Sequence, residues 1–263
     1  MSFRCKCNTG DIVESEWEYI NNAWLSAITV CDQNLKPKPR LNSSKLYLFN
    51  NSDYVDYDDE DTEGTQHEVN NLIHFFNNEG IKFTKFSEID SSDLRRIVND
   101  ATNKGVIVIP ELESGDLNPD LSDEFRTILA NWVASGGTLI GFDPGSGDII
   151  NVLNSTFNFS LDTNDLSGPI NLTEAGSGIS IFDGAINELP NNDATDALNS
   201  LNLPEGSVTI YSGSGNNQSV VTSIPYNNGQ IYVLGWDWFD AAPAGEQDGG
   251  WNDILYRIIN SKI

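Results

Sequence analysis

The chain has 263 residues, of which 38% are hydrophobic and 20% are charged, and its formal net charge is -25 at pH 7. This length suits one large domain, and it is enough to bury a core without the help of disulfide bonds. So large an acidic excess repels phosphate groups, so we expect no binding to nucleic acid or to an anionic membrane surface.

The acidic excess lies outside the first part of the chain. Residues 1–44 hold five basic and five acidic side chains, and residues 45–263 hold the other nine basic and 34 acidic ones. No apolar run of about 18 residues could span a membrane, and the polar N-terminus lacks the apolar core of a signal peptide. We therefore expect a soluble protein, and the surface of a virion or of a cell is one hypothesis for its location.

Residues 1–44 are predicted to form an N-terminal arm that contains an amphipathic helix. Within residues 13–31, apolar side chains recur at spacings of three and four, as on one face of a helix. Trp17, Ile20 and Trp24 lie on this face. The arm is therefore a candidate docking element for another protein.

A segment with two prolines, residues 34–40, follows this predicted helix. Proline cannot continue a helix and favours an extended spacer. The helix could pack on its own domain, as most amphipathic helices do. It could instead place its tryptophans on a protein partner or on a second copy of the chain. The sequence leaves both possibilities open.

The cysteines and histidines do not form a metal-binding pattern. Cys5, Cys7 and Cys31 are fewer than the four ligands of a structural zinc site, and the histidines are distant in sequence. Free thiols are expected, and their odd number leaves intermolecular pairing open. His67 and His74 are seven residues apart, which is too far for a metal-sharing i, i+4 pair. We interpret both as ordinary helix residues.

From residue 45 onwards, strand-like and helix-like patterns alternate along the chain. Such alternation is typical of a mostly parallel sheet that is covered by helices on both faces. The predicted elements are a strand over 45–50, a helix over 69–76, a strand over 81–86, a helix over 94–101, a strand over 106–109, a helix that Ser122 caps and Gly136 ends, and a strand over 138–142.

After about residue 160 the chain becomes rich in Gly, Asn, Ser and Asp. Three β-like runs remain, and Asn228-Gly229 between the last two suits a hairpin turn. The runs cover 207–211, 219–224 and 230–234, and a closing helix covers 251–259. The predicted fold class is therefore α/β: a flavodoxin-like, mostly parallel sheet with antiparallel strands added near the C-terminus, preceded by a helical arm.

Three stretches carry a resemblance to a known family. They are Val106-Ile-Val-Ile-Pro110, Trp132-Val-Ala-Ser-Gly-Gly-Thr-Leu-Ile-Gly-Phe-Asp143 and Asn228-Gly-Gln-Ile-Tyr-Val-Leu-Gly235. They resemble patterns of the class I glutamine-amidotransferase-like fold, in particular its ThuA-like and β-galactosidase-trimerisation-like branches. The resemblance covers roughly residues 45–263 and concerns the fold, because none of the stretches is a strict signature.

Catalytic members of this family place a cysteine at a tight turn between strand and helix, where backbone N–H groups stabilise an oxyanion. This chain has Asp143 at the corresponding turn. The family's partner histidine follows the last strand, where this chain has Trp236-Asp237-Trp238, and Glu111-Leu112 replaces a glycine pair. The resemblance therefore implies a degenerate member that is not a glutamine amidotransferase.

Ligands of open α/β folds bind beyond the carboxyl ends of the strands. The predicted strand ends bring together several acidic residues and two tryptophans as ligand-binding candidates. These candidates are Glu111, Glu113, Asp143, Trp236, Asp237, Trp238 and Asp240.

Crowded carboxylates need a cation, shared protons or sugar hydroxyl groups to offset their repulsion. Aromatic rings beside acids suit a saccharide, and Glu111 and Asp143 could serve as the acid and base of a glycosidase. In the alternative interpretation, the tryptophans belong to the core and the acids lie in solvated loops. Both interpretations stay open at this point.

A second acidic segment, residues 53–64, resembles part of a calcium loop. Asp59, Asp61 and Glu63 match its first ligand positions, but Asn70 stands where a bidentate Glu is required. The segment is therefore a candidate for loose binding of Ca²⁺, the only cofactor that the sequence suggests. A solvated acidic loop is the alternative.

Two functions fit these patterns. The first is a non-catalytic binding or structural module, displayed in a larger assembly through the arm. The second is a carbohydrate-active or metal-assisted hydrolase that uses the carboxylates at the sheet edge. An enzyme needs two carboxylates aimed into one cleft, at least one of them with a shifted pKa, and a binding module does not.

Overall fold

The computed structural model describes residues 2–6, 12–16, 45–60, 67–145, 147–191, 194–238 and 249–261. The chain divides into two compact units, Met1–Arg40 and Leu41–Ile263.

The first unit contains two short antiparallel strands, β1 (Ser2–Lys6) and β2 (Ile12–Glu16). The helix predicted for residues 13–31 is therefore wrong over its first four residues, which pair with β1 instead. The β-branched residues Ile12 and Val13 at the start of β2 favour a strand. Pairing with β1 then stabilises this strand over the predicted helix. The rest of the predicted helix lies outside the described residues, together with Trp17, Ile20 and Trp24.

The second unit contains a nine-stranded sheet, a small three-stranded sheet and helices. The large sheet consists of β3 (Leu46–Phe49), β4 (Phe83–Phe86), β5 (Val106–Ile109), β6 (Thr138–Phe142), β8 (Ile170–Leu172), β9 (Glu188–Leu189), β11 (Val208–Ser212), β13 (Val221–Tyr226) and β14 (Gly229–Leu234). The small sheet consists of β7 (Thr163–Asn164), β10 (Ala197–Asn199) and β12 (Gln218–Ser219). The helices are α1 (Glu68–Asn78), α2 (Ser91–Ala101), α3 (Asp123–Ala134), α4 (Asp148–Phe157), α5 (Glu174–Ser177) and α6 (Trp251–Asn260).

The large sheet has the strand order β4-β3-β5-β6-β14-β13-β11-β8-β9. The strands from β4 to β14 in this order are parallel to one another. The strands from β13 to β9 continue the sheet with antiparallel pairing. In chain order the parallel strands have the 2-1-3-4-5 arrangement of flavodoxin-like folds. The predicted α/β class, with a mostly parallel sheet and antiparallel strands added near the C-terminus, is therefore confirmed.

The central strands are apolar because both of their faces are covered. Every residue of β3, β5 and β6 is buried. The edge strand β4 differs, since Thr84 and Lys85 are exposed and only Phe86 is buried. A lysine on an edge strand discourages pairing with other chains.

The predicted helix cap is confirmed, because Ser122 Oγ accepts a hydrogen bond from Phe125 N–H at 3.1 Å.

Helices cover both faces of the sheet, as two neighbouring residues of β6 show. A Cβ atom on Gly141 would lie 2.7 Å from Ile149 Cγ1, so α4 packs closely on that face. Phe142 points to the opposite face, where its ring contacts Trp238 at a centroid distance of 5.6 Å. Trp238 in turn packs against Phe75 of α1 at 6.1 Å. The helices α1 and α4 therefore cover opposite faces.

The hairpin between β13 and β14 lies one residue earlier than predicted. Tyr226 pairs with Gly229, so its loop is Asn227-Asn228, and Asn227 adopts a φ of 52°. Asparagine tolerates this left-handed conformation. Gly229 is required for packing instead, because a Cβ atom there would lie 1.8 Å from Val133 O at the end of α3.

Within the described part of the chain, none of the helices combines the length and the apolar character needed to cross a membrane.

Candidate functional site

The parallel strand order reverses between β3 and β5, because α1 leads the chain to β4 on one side and α2 leads it to β5 on the other. The loops after these two strands diverge and leave a crevice at the carboxyl edge of the sheet. A cleft of about 470 Å³ lies there, and we name it the switch-point cleft. Its lining residues are Asp56, His67, Glu111, Glu113, Ser114, Ala194 and Asp237.

The structure brings together most of the acidic residues predicted for the sheet edge. Glu111, Glu113 and Asp237 line the switch-point cleft. Asp143 interacts with Glu111 and Asp237, and only 4% of its surface is exposed. Asp240 lies outside the described residues.

Asp143 occupies a tight turn between β6 and α4. Its φ of 33° is uncommon for a residue other than glycine, and we name this turn the elbow. Its carboxylate accepts a hydrogen bond from Gly145 N–H at 3.2 Å. A Cβ atom on Gly145 would lie 1.9 Å from Asp196 Oδ2, so glycine lets Asp196 approach the elbow.

Glu111 and Asp143 form an acid pair that is joined by a side-chain hydrogen bond. The pKa of Glu111 is raised to about 11, first by burial and then by the negative charges of Glu68 and Asp143. The pKa of Asp143 is raised to about 7, chiefly by burial, and this value already includes the opposite effect of the hydrogen bond with Glu111. Glu111 is therefore the partner that holds the proton and donates it to Asp143.

Glu68 is a member of this cluster that the sequence analysis missed. It begins α1, is 1% exposed, and accepts a hydrogen bond from Glu111 N–H at 3.3 Å through Oε1. Its Oε2 is buried without a hydrogen-bond partner among the described residues. Burial raises its pKa well above the usual value, and Asp237, Asp143 and Glu113 add to the effect. In the sequence it resembles any acid in the first turn of a helix.

Asp196 is a second acid that the sequence analysis missed. It precedes β10 and is half-buried near the elbow, where burial raises its pKa and the charge of Asp165 adds to the effect. Its backbone N–H donates to Gly235 O at 2.9 Å, which attaches its loop to the end of β14. No local pattern around Asp196 indicates this position, because its partner Gly235 is remote in the sequence.

His67 lines the cleft, which the interpretation as an ordinary helix residue did not foresee. It precedes α1, and its Nδ1 lies 2.7 Å from Asp56 Oδ1. The other oxygen of Asp56 accepts a hydrogen bond from Glu68 N–H at 3.2 Å. This arrangement fixes the entry to α1. Across the described ranges, no group of three or more His, Cys, Asp or Glu side chains is placed to hold a metal ion.

The tryptophans beside the acids belong to the core. Trp236 is 2% exposed and stacks on Trp251 at a centroid distance of 5.4 Å, and Trp238 is 1% exposed. A sugar ring cannot reach either indole face. The expected aromatic surface beside the carboxylates is therefore absent from the described lining of the cleft.

The acidic segment that resembles a calcium loop is described only in part. Asp59 accepts a hydrogen bond from Tyr57 Oη and lies 3.6 Å from Lys85 Nζ. Asn70 holds the loop by donating to Asp58 O at 2.8 Å, which explains an amide at that position. Asp61 and Glu63 lie outside the described residues, so calcium binding stays a prediction.

No protein-family model and no curated protein sequence matches this chain. Among solved structures, a GMP synthase subunit-like protein from Thermoplasma acidophilum is similar, with 15% identity, a TM-score of 0.51, and coverage of 83% of this chain and 93% of that one. The cytoplasmic protein STM1381 from Salmonella typhimurium LT2 has 13% identity, a TM-score of 0.49, and coverage of 82% and 99%. A β-galactosidase from Bacillus circulans sp. alkalophilus has 14% identity and a TM-score of 0.48, and the match covers 82% of this chain and 30% of the enzyme. At these identities the likeness concerns the fold alone, and the first of these structures supports the amidotransferase-like fold for the second unit.

Proposed function

We propose that the second unit is a non-catalytic binding module, a degenerate amidotransferase-like domain whose ligand docks in the switch-point cleft. The observation that carries this proposal is the position of Asp143 and its burial. It stands at the elbow where the fold's catalytic members have a nucleophile, and it is buried and hydrogen-bonded to Glu111. A side chain held in this way stabilises the turn but attacks no substrate.

The alternative is a hydrolase that uses two carboxyl groups at the sheet edge. The pKa values of Glu111 and Asp143 are raised. Strongly shifted pKa values are common among the carboxyl groups of active sites. The geometry of Glu111 and Asp143 does not suit glycoside hydrolysis. The two catalytic carboxyl groups of a glycosidase stand about 5 Å or more apart, on either side of the sugar. A hydrogen bond between Glu111 and Asp143 places their carboxyl groups closer together than this spacing.

We expect the protein to release no ammonia from glutamine and to hydrolyse no nitrophenyl glycoside above the rate of buffer alone. Alkylation of Cys5, Cys7 and Cys31 should leave ligand binding unchanged. Ammonia release, measured with purified protein over hours, would contradict the proposal if alkylation or Asp143→Asn abolished it. Glycoside turnover that Asp143→Asn abolishes would instead support the hydrolase.

We further propose that the arm attaches this module to a protein partner or to other copies of the chain. Its charge is balanced, whereas residues 45–263 are strongly acidic, so the arm can approach another copy with less repulsion. Tryptophan is also enriched among the residues that anchor interfaces. Display on a virion or on a cell surface is the context that we propose for such an assembly.

Replacing both Trp17 and Trp24 by Ala should abolish assembly and leave the second unit folded. Light scattering after size-exclusion chromatography would measure the mass, and circular dichroism would measure the fold. Leu201→Ala is a suitable control, because that side chain is 72% exposed and lies in the second unit. Unfolding of the double variant, or a native protein that is a monomer without partners, would contradict the proposed role of the arm.

A further inference from the structure

A second groove lies at the amino edge of the parallel strands, opposite the edge that carries the switch-point cleft. It runs between the C-terminal halves of α2 and α3, close to where β5 and β6 begin. We name it the α2–α3 groove. Its volume of about 490 Å³ is that of a small-molecule site. Its lining residues are Arg95, Val98, Asn99, Thr102, Asn103, Ile128, Asn131, Trp132 and Ser135.

The α2–α3 groove is electrically neutral, although the chain is strongly acidic. Its described lining contains no Asp or Glu, and the one cation in that lining, Arg95, pairs with Glu124 at 2.5 Å. Residues 91–104 and 123–135, which form its walls, hold four basic and four acidic side chains, whereas the net charge of the chain is -25. An anion would find no unpaired positive charge there, and a cation would find no carboxylate. The lining therefore suits a neutral ligand.

The polar groups of this lining are mostly side-chain amides. Asn99, Asn103 and Asn131 are exposed and make no side-chain hydrogen bond within the described residues. Val98 is half-buried and Ile128 is buried, so they form an apolar floor below the amides. Each amide can donate and accept hydrogen bonds, as each hydroxyl group of a sugar can. A sugar ring also has an apolar C–H face that fits an aliphatic floor.

Thr102 holds a strained conformation in the lining of the groove. Its φ is 58° and its ψ is -172°, a region that glycine enters freely and a β-branched residue almost never does. Hydrogen bonds fix this backbone on both sides. The N–H of Thr102 donates to Val98 O, and its carbonyl accepts from Trp132 Nε1 at 2.7 Å. Glycine would adopt this conformation without strain, so a threonine here indicates a role for its exposed side chain beyond the fold.

We propose that the α2–α3 groove binds a neutral saccharide of one or two rings, whose hydroxyl groups pair with Asn99, Asn131 and the hydroxyl group of Thr102. This site is separate from the switch-point cleft and is a further binding function of the second unit. The strain at Thr102 is the cost of holding its hydroxyl group in place before the ligand arrives, which saves ordering entropy on binding.

Saturation-transfer difference NMR of the full chain with maltose, cellobiose and lactose tests this proposal. We expect at least one of these disaccharides to bind with a dissociation constant of about 1 mM or tighter. Asn99→Ala and Asn131→Ala should each weaken that binding by about five- to tenfold, because each removes a hydrogen bond. The control Asn202→Ala, at an exposed asparagine in a short 3-10 helix after β10, should leave it unchanged.

Substitutions of Thr102 separate the role in binding from the role in the fold. Thr102→Gly should weaken binding by about five- to tenfold, because the hydroxyl group is lost. Its equilibrium constant for folding, measured by urea denaturation, should rise by about tenfold, because the relief of strain exceeds the entropy that glycine loses. Thr102→Ser keeps the hydroxyl group and should keep most of the affinity.

Four results would overturn the saccharide proposal. The first is that none of the three disaccharides binds. The second is that glucosamine or glucuronate binds more tightly than glucose, since the site would then select for charge. The third is that sugar binding weakens in Glu113→Gln but not in Asn99→Ala, which would place the sugar in the switch-point cleft. The fourth is that tetra-alanine binds where the sugars do not and loses affinity in Asn99→Ala, which would make the groove a peptide site.

Discussion

Trp238→Ala should lower the free energy of unfolding by about 3–5 kcal/mol, the usual cost of removing a large aromatic side chain from a core. Trp238 is 1% exposed, and its ring packs between Phe142 of β6 and Phe75 of α1. Its backbone carbonyl accepts a hydrogen bond from Asn71 Nδ2 at 2.8 Å. The substitution would therefore separate α1 from the sheet directly below the switch-point cleft.

Urea denaturation, monitored by circular dichroism, would measure this decrease in the free energy of unfolding. Trp238→Phe should recover part of it, because an aromatic ring would still fill much of the space. Leu201→Ala, at a side chain that is 72% exposed, should change stability by less than about 0.5 kcal/mol. A Trp238→Ala variant with native stability would show that the ring is available to a ligand, as a saccharide-binding surface requires.

Asp143→Asn should stabilise the protein at pH 8 by about 1–3 kcal/mol and have little effect near pH 4. Burial raises the pKa of Asp143 from 3.8 to about 7 in the folded protein. The folded state therefore keeps a proton that the unfolded chain has already released. This contribution to stability is complete below about pH 4 and is lost as the pH rises through about 7.

The asparagine variant keeps the other interactions at this position. Asparagine tolerates a φ of 33°, and its carbonyl oxygen can still accept the hydrogen bonds of Gly145 N–H and of the Glu111 carboxyl group. Unfolding in urea at several pH values should show a flatter pH profile for Asp143→Asn. The control Glu205→Gln, at an exposed acid before β11, should keep the native profile. An unchanged profile in Asp143→Asn would mean that Asp143 is ionised at every pH tested and that its pKa is not raised in the folded protein.

Most of the parallel core could be predicted from the sequence, because its signals are local. The apolar runs 106–109 and 138–142 are short and lie between glycine and proline residues, which is typical of strands buried on both faces. Ser122 accepts a hydrogen bond from a backbone N–H group three residues away. The helix α4 was missed, although its buried side chains repeat at helical spacing. The start of β2 was predicted as helix for a related reason: a short apolar pattern fits both structures until a partner strand is present.

The candidate site was predicted in part. The order of strands and helices placed Glu111, Asp143 and Asp237 at the carboxyl edge of the sheet, because the ends of parallel strands meet there. The sequence did not reveal Glu68 or Asp196. Glu68 reaches Glu111 across 43 residues of chain, and only the packing of α1 on the sheet decides whether that carboxyl group is buried or solvated.

By itself, the sequence determined the alternation of strands and helices, the acidic character of residues 45–263, and an aspartate, Asp143, directly after the apolar run 138–142. These properties depend on residue type and on short-range periodicity. Only the tertiary structure decided that Trp236 and Trp238 are core residues and that Glu68, Glu111 and Asp143 interact in one acidic cluster. Burial and charge interaction depend on distances between segments that are remote in sequence, and those distances are set when the sheet and its helices pack together.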